Sequence, residues 1–288
     1  MNGYTLQGRV QKYVNFATVH DAMDAGFDIV QPKHDGWFAE VIIKDGQASI
    51  YSRQGALKEV LPCPEFHGTA VLIGEFLVGT QRATSGNEQG GTLVVFDCLD
   101  VSCTVNGKPS SLIESGDSYR HRLEVAGEII KSLPWAKLIT TMPAESAHGL
   151  WTDFVEQAEG EGIVLRRSAD TYHGAAIGRV KKTVTMDYVV MSVVEGGGKN
   201  RGKAGAVVCG LYVNGRLVEK VSVGGGWSDA ERAELFAAPQ QYVGRVLEVR
   251  GYQLFASGSL RHPNVVRCPA GGIKWREDKK PVECVWTK

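Results

Sequence analysis

The sequence predicts an α+β protein of two domains, and three observations carry that expectation. Short β-branched and aromatic runs recur between glycine-rich turns along most of the chain. The stretch from Tyr119 to Leu133 sets Leu123, Ala126, Ile130 and Leu133 at spacings of three and four, the pattern of a helix laid on a sheet. From about residue 188 the chain is almost wholly β, interrupted by one helix signal. A boundary is expected near residues 183–187. The first domain, 1–184, is then built of antiparallel sheets with flanking helices, and the second, 185–288, forms a C-terminal β-barrel.

In order along the chain, Val19 to Gly26 reads as a short helix closed by glycine. Phe27 to Val30 is a strand that delivers Lys33 to the turn at Gly36. A hairpin follows, Phe38 to Ile43 and Ala48 to Arg53, reversed by Asp45-Gly46. Strands are expected at Ala70 to Val78 and Thr92 to Cys98, with a polar, turn-rich stretch from Gly79 to Gly91 between them. After the helix at Tyr119, a second is expected from Leu150 to Ala158, then a strand at Gly162 to Arg166. Arg179-Val180-Lys181-Lys182 reads as a basic connection. The second half offers strands at 188–194, 206–213, 217–223 and 245–253, and a helix opened by a capping box, Ser228 with Glu231. Several strands with one inserted helix suit a small barrel of the oligonucleotide-binding (OB) type.

The bulk properties exclude some classes. At 288 residues and 43% hydrophobic, the chain can bury a sizeable core. It contains no apolar run near the ~20 residues that span a bilayer, and its start lacks the basic and apolar regions of a signal peptide, so a cytoplasmic protein that does not engage membranes is expected. Formal net charge is zero, so a nucleic-acid partner must be held by a local basic face. The six cysteines form no Cys-x-x-Cys pair and no zinc-type spacing with histidine, and are expected to be reduced thiols.

The chemistry centres on Lys33. A lysine is a nucleophile only while its amine is neutral, which nearby cations, burial or a metal promote. Arg179 and Lys181 would be such cations if their segment lies beside the Lys33 strand, and they would also bind phosphate oxygens. Glu75 and Glu161 each sit among apolar residues, where a carboxylate is paired, metal-bound or functional. A glycine precedes each and leaves room for close approach. Taken singly, Lys33 reads as a solvated strand-end lysine, Phe96 as core, and Arg53, Lys181 and Arg276 as surface charges. His34, His173 and His262 fall in no metal or nucleophile pattern. The run Lys199-Asn200-Arg201-Gly202-Lys203 suits either a solvated loop or phosphate contacts on a duplex.

Together and in order, these residues resemble the covalent nucleotidyltransferase superfamily of ATP-dependent DNA ligases, RNA ligases and mRNA capping enzymes. Lys33-His34-Asp35-Gly36 is similar to the first motif, whose lysine becomes adenylylated. Ser52-Arg53-Gln54-Gly55 resembles the phosphate-contacting motif after it. Glu75 matches the acidic residue that holds the ribose, and Phe96 the aromatic that stacks on the base. Glu161-Gly162-Ile163-Val164-Leu165-Arg166 resembles the fourth motif, associated with the metal, and Arg179-Val180-Lys181 the fifth. Gly258-Ser259-Leu260-Arg261-His262-Pro263 and Arg276-Glu277-Asp278-Lys279 are similar to segments of the ligase barrel, the latter to the motif that orients pyrophosphate. The chain departs from the pattern at Phe38, where an arginine is usual, and at Arg166 and Arg179, where lysines are.

The resemblance implies a nucleotidyltransferase (adenylation) domain followed by an OB-fold domain, in the compact two-domain form of bacteriophage ligases. It implies a monomer that uses ATP and Mg2+ or Mn2+ to seal nicked double-stranded DNA, in the host cytoplasm if the origin is phage. Lys33, Lys181, Arg276 and Lys279 become catalytic. Gln31, Pro32, Asp35, Gly36, Arg53, Glu75, Phe96, Glu161, Arg179 and Lys181 become nucleotide contacts, with Glu161 as metal ligand. Lys199, Arg201, Lys203 and Arg261 become DNA contacts, and a hinge falls near Thr183 to Asp187. An RNA ligase, a capping-type enzyme and a nick-binding protein with reduced catalysis are the alternatives.

Overall fold

The computed structural model describes residues 11–77, 91–103 and 110–287. Except for Gly91, the turn-rich stretch expected at Gly79 to Gly91 lies almost wholly outside them. The chain divides into two compact units, Met1–Lys181 and Lys182–Lys288.

The first unit runs β1 (Lys12–Phe16), α1 (Val19–Met23), β2 (Ile29–Lys33), β3 (Trp37–Lys44), β4 (Gln47–Ser52), β5 (Leu57–Pro62) and β6 (Gly68–Leu77). It continues with β7 (Thr92–Cys103), β8 (Ser110–Ser111), α2 (Tyr119–Ile130), β9 (Ala136–Leu138), β10 (Met142–Pro143) and α3 (Ala147–Leu150). A π-helical stretch, Trp151–Gln157, prolongs α3 before β11 (Gly162–Arg166) and β12 (Ala176–Lys181). One sheet has the order β1-β12-β11-β2-β10 and the other β5-β4-β3-β6-β7-β8, with β9 added beside β7. Pairing is antiparallel except where β1 joins β12 and β9 joins β7.

Strand alternation decides what each sheet buries and what it presents. In the first sheet Val30, Ile163, Leu165 and Val180 pack under α1 and α3 with Val19, Ala22 and Ala147. Their neighbours in sequence, Gln31, Lys33, Val164, Arg166, Arg179 and Lys181, line a cavity on the opposite face. In the second sheet Val41, Ile43, Leu72, Leu93 and Val95 pack against Ala126, Ile129 and Leu133. Phe38, Glu75, Val94 and Phe96, one step out of phase, face the same cavity. Helices thus cover the outer faces, and the two inner faces meet across the cavity.

Two expectations for this unit are corrected. The basic connection at Arg179 is strand β12: Val180 is buried in the core under the helices while Arg179 and Lys181 line the cavity on the opposite face. The alternation was hidden because Gly178, which shares the face of Val180, makes no apolar signal. The stretch before the first helix, unpatterned in sequence, supplies β1, an edge strand that acquires its register from β12.

The second unit carries β13 (Val184–Glu195), β14 (Ala204–Val213), β15 (Arg216–Val223), α4 (Asp229–Ala237), β16 (Val246–Gly251) and β17 (Asn264–Val265). The sheet order is β15-β14-β13-β16-β17. Ser228 caps α4 reciprocally with Glu231, as its capping box predicts. The core is Tyr188, Val190, Val207, Cys209, Leu211, Val223, Leu235, Leu247 and Val249 with Trp227. No ladder closes this sheet into a continuous barrel among the described residues. Its ends meet at one bridge, Gly225 with Asn264, because Gly224-Gly225-Gly226 ends β15 and β17 is two residues long. Most of the residues expected to form a hinge, 183–187, belong to strand β13. Val184, Thr185, Met186 and Asp187 are laddered to Gly251, Arg250, Val249 and Glu248, so only Lys182 and Thr183 separate β12 from β13. The described cysteines Cys63, Cys98, Cys209, Cys268 and Cys284 are free thiols.

One buried ion pair docks α2 on β7. Arg122, fully buried, donates from Nε to Asp97 Oδ1 at 2.8 Å, from Nη2 to Asp97 Oδ2 at 3.2 Å, and from Nη1 to the Asp117 carbonyl at 2.7 Å. Arg122→Met leaves the Asp97 carboxylate buried and alone, and is expected to lower unfolding free energy by about 3–5 kcal/mol. Denaturant midpoints measure this, and adding Asp97→Leu should restore much of the loss. A midpoint unchanged by Arg122→Met contradicts the account.

Candidate active site

The cavity has a volume of about 680 Å³, and its lysine end is set by strand register. In the order β12-β11-β2, Gly162 of the central strand stands opposite Lys181 on one side and Lys33 on the other. A Cβ at Gly162 would meet the Val180 carbonyl oxygen at 2.2 Å, so only glycine permits these strands to approach. Glu161, the residue before β11, is thereby held between two ammonium groups. Its Oε2 accepts from Lys33 Nζ at 2.5 Å, and its Oε1 lies 2.6 Å from Lys181 Nζ. Glu161 and Lys181 side chains are 14% and 18% exposed, which makes this a shielded charge relay and not a surface pair. The trio carries a net positive charge at the mouth of a polar cavity, a setting that attracts phosphate.

Glu75 enters from the second sheet. Its Oε1 accepts from the Gly36 N–H at 3.2 Å. A Cβ at Gly36 would lie 2.5 Å from the Phe76 carbonyl oxygen, so the turn after Lys33 also requires glycine. Burial raises the Glu75 carboxyl above the ordinary carboxylate range, partly countered by the Lys33 charge. Arg53 is exposed at the rim, its guanidinium 4.9 Å from the centroid of the Phe38 ring. Phe38, which stands where an arginine was expected, therefore forms a wall of the cavity and carries Arg53 upon it. Arg179 is held by the Asn15 side chain and lies 4.8 Å from the Tyr13 ring.

Of the expected nucleotide contacts, Gln31, Pro32, Lys33, Gly36, Arg53, Glu75, Phe96, Arg179 and Lys181 line the cavity. Glu161 lies behind the two lysines, and Asp35 is exposed outside the lining. Gln31 is 2% exposed, and its amide donates to Tyr119 Oη at 2.8 Å and Thr141 Oγ1 at 2.9 Å. Tyr119 Oη in turn donates to the Phe96 carbonyl at 2.8 Å, so this network ties the two sheets together behind the cavity. Sequence reasoning missed Tyr13, Trp37, Lys58 and Ile139 as lining residues. Arg166, named in sequence only as the last residue of the fourth motif, lines the cavity as well, in phase with Val164.

In the second unit, Arg276 donates from Nη1 to Asp187 Oδ2 at 2.8 Å and pairs through Nε and Nη2 with both oxygens of Asp278, each at 2.9 Å. Lys279 Nζ reaches the same Asp187 oxygen at 3.0 Å. Asp187 gave no sequence signal, because its partners lie some ninety residues away. Lys199 and Arg201 are exposed on the β13–β14 loop. Lys203 is 3.8 Å from Asp229, and Arg261 is half-buried beside the Leu254–Leu260 bridge. Among the described residues no three His, Cys, Asp or Glu side chains gather as a metal centre, and no helix is long and apolar enough to cross a membrane.

His34 lines the cavity with its ring edge-on to Phe154. Burial first, then the charges of Lys137 and Lys33, push its pKa down to about 4. Its folded value lies below its ordinary 6.5, so the unfolded chain takes up the proton first. Stability from this group is complete above about pH 6.5 and is lost as pH falls towards 4. An imidazole NMR titration should place the His34 midpoint near 4, and His34→Asn should flatten that part of the stability profile. A midpoint of about 6 or higher contradicts this reading.

Residues 195–268 match the family model described as "DNA ligase OB-like domain". Among solved structures, the chain is similar to Pmar-Lig_Pre., with 16% identity, a TM-score of 0.66, and coverage of 93% of this chain and 67% of that one. The form named Pmar-Lig_PreS3 gives 18% identity and a TM-score of 0.64, covering 90% of this chain and 67% of that one. A structure from work on Lig E DNA ligases, described as DNA binding with a minimal scaffold, gives 18% identity and a TM-score of 0.62 over 92% of this chain and 99% of that one. No curated protein sequence matches the chain. Residues 195–268 are thus similar to a DNA ligase OB-like domain, and over nine-tenths of its length the chain shares the fold of the structure from work on Lig E DNA ligases.

Proposed function

We propose that the chain is an ATP-dependent DNA ligase that seals 3′-hydroxyl/5′-phosphate nicks through a lysyl-AMP intermediate. The observation that carries this reading is the Lys33–Glu161–Lys181 relay at one end of a cavity, within a fold shared with DNA ligases. Lys33 Nζ attacks the α-phosphorus of ATP, the Nζ–P bond forms, and the bond to the β-phosphate oxygen breaks, releasing pyrophosphate. Glu161, already in hydrogen-bond contact with Nζ, is the acceptor within reach of the proton that Lys33 must lose. Lys181 balances negative charge on the α-phosphate, and Glu75, Phe96 and Arg53 hold ribose, base and phosphate. Arg276 and Lys279 take the role of orienting pyrophosphate that the resemblance assigns them. AMP then passes to the 5′-phosphate of the nick, and the 3′-hydroxyl displaces it.

The implied divalent ion fits the donor set. Glu161 and Glu75 offer hard carboxylate oxygens, and Mg2+ commonly takes one or two carboxylates together with substrate phosphates. Glu161 would hold it, and the ion would neutralise charge developing on the phosphates.

With ATP labelled at the α-phosphate, the wild type should become covalently labelled and Lys33→Ala should not. No label on the wild type would sink the proposal. Sealing of nicked RNA without nicked DNA would move the assignment to an RNA ligase. For the duplex, the exposed Lys199 and Arg201 are our proposed phosphate contacts, together with Lys203 and Arg261. Replacing Lys199 or Arg201 by Ala should lower the slope of log affinity against log salt by about one each, whatever the DNA sequence. An unchanged slope removes these residues from the interface.

A further inference from the structure

Two carboxylates stand directly opposite each other in the second unit, Asp187 on β13 and Glu248 on β16, each with its side chain only 10% exposed. Like charges so placed repel. Cations compensate them: Lys274 Nζ lies 2.7 Å from Glu248 Oε2, and Arg276 Nη1 lies 2.8 Å from Asp187 Oδ2 and 3.6 Å from Glu248 Oε2. Lys279 Nζ reaches the same Asp187 oxygen at 3.0 Å. Backbone bonds fix where these side chains start. The Arg276 N–H donates to the Val246 carbonyl at the start of β16, and the Lys279 N–H donates to the Arg276 carbonyl, a turn that brings the lysine back to the arginine's partner. Arg276 also pairs with Asp278, but that carboxylate is exposed and two residues away, so it travels with the arginine. Asp187 is built into the sheet. Its Oδ1 is buried and takes no hydrogen bond among the described residues, so its charge is compensated through Oδ2 and the two cations there.

The donors that Asp187 holds are ones a phosphate would take. Carboxylate and phosphate oxygens accept the same charge-assisted hydrogen bonds from guanidinium and ammonium groups, so Arg276 Nη1 and Lys279 Nζ serve either anion. Drawing them off Asp187 leaves a buried carboxylate with less compensation, a cost that the incoming anion must offset. We infer that Asp187 is a positioning residue that acts through Arg276 and Lys279: it holds them while no pyrophosphate is bound, competes with pyrophosphate for them, and takes them back as pyrophosphate departs. In the chemistry proposed above this favours release once lysyl-AMP has formed and weakens reversal. In that reversal a pyrophosphate oxygen attacks the lysyl-AMP phosphorus, the Nζ–P bond breaks, ATP re-forms and Lys33 takes up a proton. This rests on the pyrophosphate role given there to Arg276 and Lys279, and adds the internal anion that limits it.

Discharge of labelled lysyl-AMP by inorganic pyrophosphate, followed against pyrophosphate concentration on the full chain, tests this. Asp187→Asn should reach half-saturation at a pyrophosphate concentration roughly tenfold lower than wild type, since a contacting charge moves a neighbouring ionic equilibrium by about one to three powers of ten. A carboxylate that only held the fold together would, when lost, lower stability and leave that concentration unchanged or raise it. Calorimetric titration of pyrophosphate into the unmodified chain, without divalent metal, makes the same comparison with no covalent step. There Asp187→Asn should bind more tightly than wild type, and the gain should vanish in Asp187→Asn/Arg276→Ala. Glu248→Gln removes the carboxylate 3.6 Å from Arg276 and should act in the same direction but less, and it decides if Asp187→Asn folds poorly. An unchanged or higher half-saturating concentration, no gain in affinity, or a gain that survives Arg276→Ala overturns the inference. If the wild type takes no label from ATP the ligase reading falls, and the calorimetric comparison still decides the role of Asp187.

Discussion

Glu161 is the carboxylate on which the rest of the site depends. It pairs with both Lys33 and Lys181 on the strands to either side, so β2 and β12 can bring two ammonium groups to one end of a cavity with a carboxylate between them. The arrangement is possible only because Gly162 lets the three strands close on one another. Chemistry and fold meet at this point: the contact that makes the strand end stable also holds the proposed nucleophile, proton acceptor and phosphate-binding cation within reach of each other.

Around that relay the first unit uses strand alternation to separate stability from function. Apolar residues on the outer faces pack under helices, and their immediate neighbours furnish the cavity. The two inner faces are kept in register by polar links, with Tyr119 joining Gln31 of β2 to the Phe96 carbonyl of β7. Tyr119 begins the helix that Arg122 anchors to Asp97, so the same turn of α2 fixes both the sheet packing and the back of the cavity. Phe38 belongs to this design. Without an arginine there, the cavity gains an aromatic wall on which Arg53 rests.

The second unit answers a different physical problem. Arg276 and Lys279 converge on Asp187 near the start of β13, and a short helix with reciprocal capping packs on the sheet. Its five strands approach closure through one bridge at a run of glycines, leaving the sheet partly open. The family match over 195–268 lies wholly within this unit, while the likeness to solved ligases extends over both.

Much of this was legible in the chain. Local signals suffice where a feature depends on neighbours in sequence: the Asp45-Gly46 hairpin, the capping box at Ser228, the helix at Tyr119, and the ordered set from Lys33 to Lys181 that lines the cavity. Strands whose identity comes from a partner were not legible, namely β1 and β12, nor was the ladder that takes Val184 to Asp187 out of the hinge. Pairwise electrostatics between distant segments were equally hidden, as with Asp187 and Arg276 or Gln31 and Tyr119. The sequence by itself determined which residue types were available for phosphate, metal and base. Only the tertiary structure decided that Glu161 sits between two lysines and that Gln31 spends its donors on the protein. Charge compensation and hydrogen-bond satisfaction depend on distances in space, which strand register sets and spacing along the chain does not.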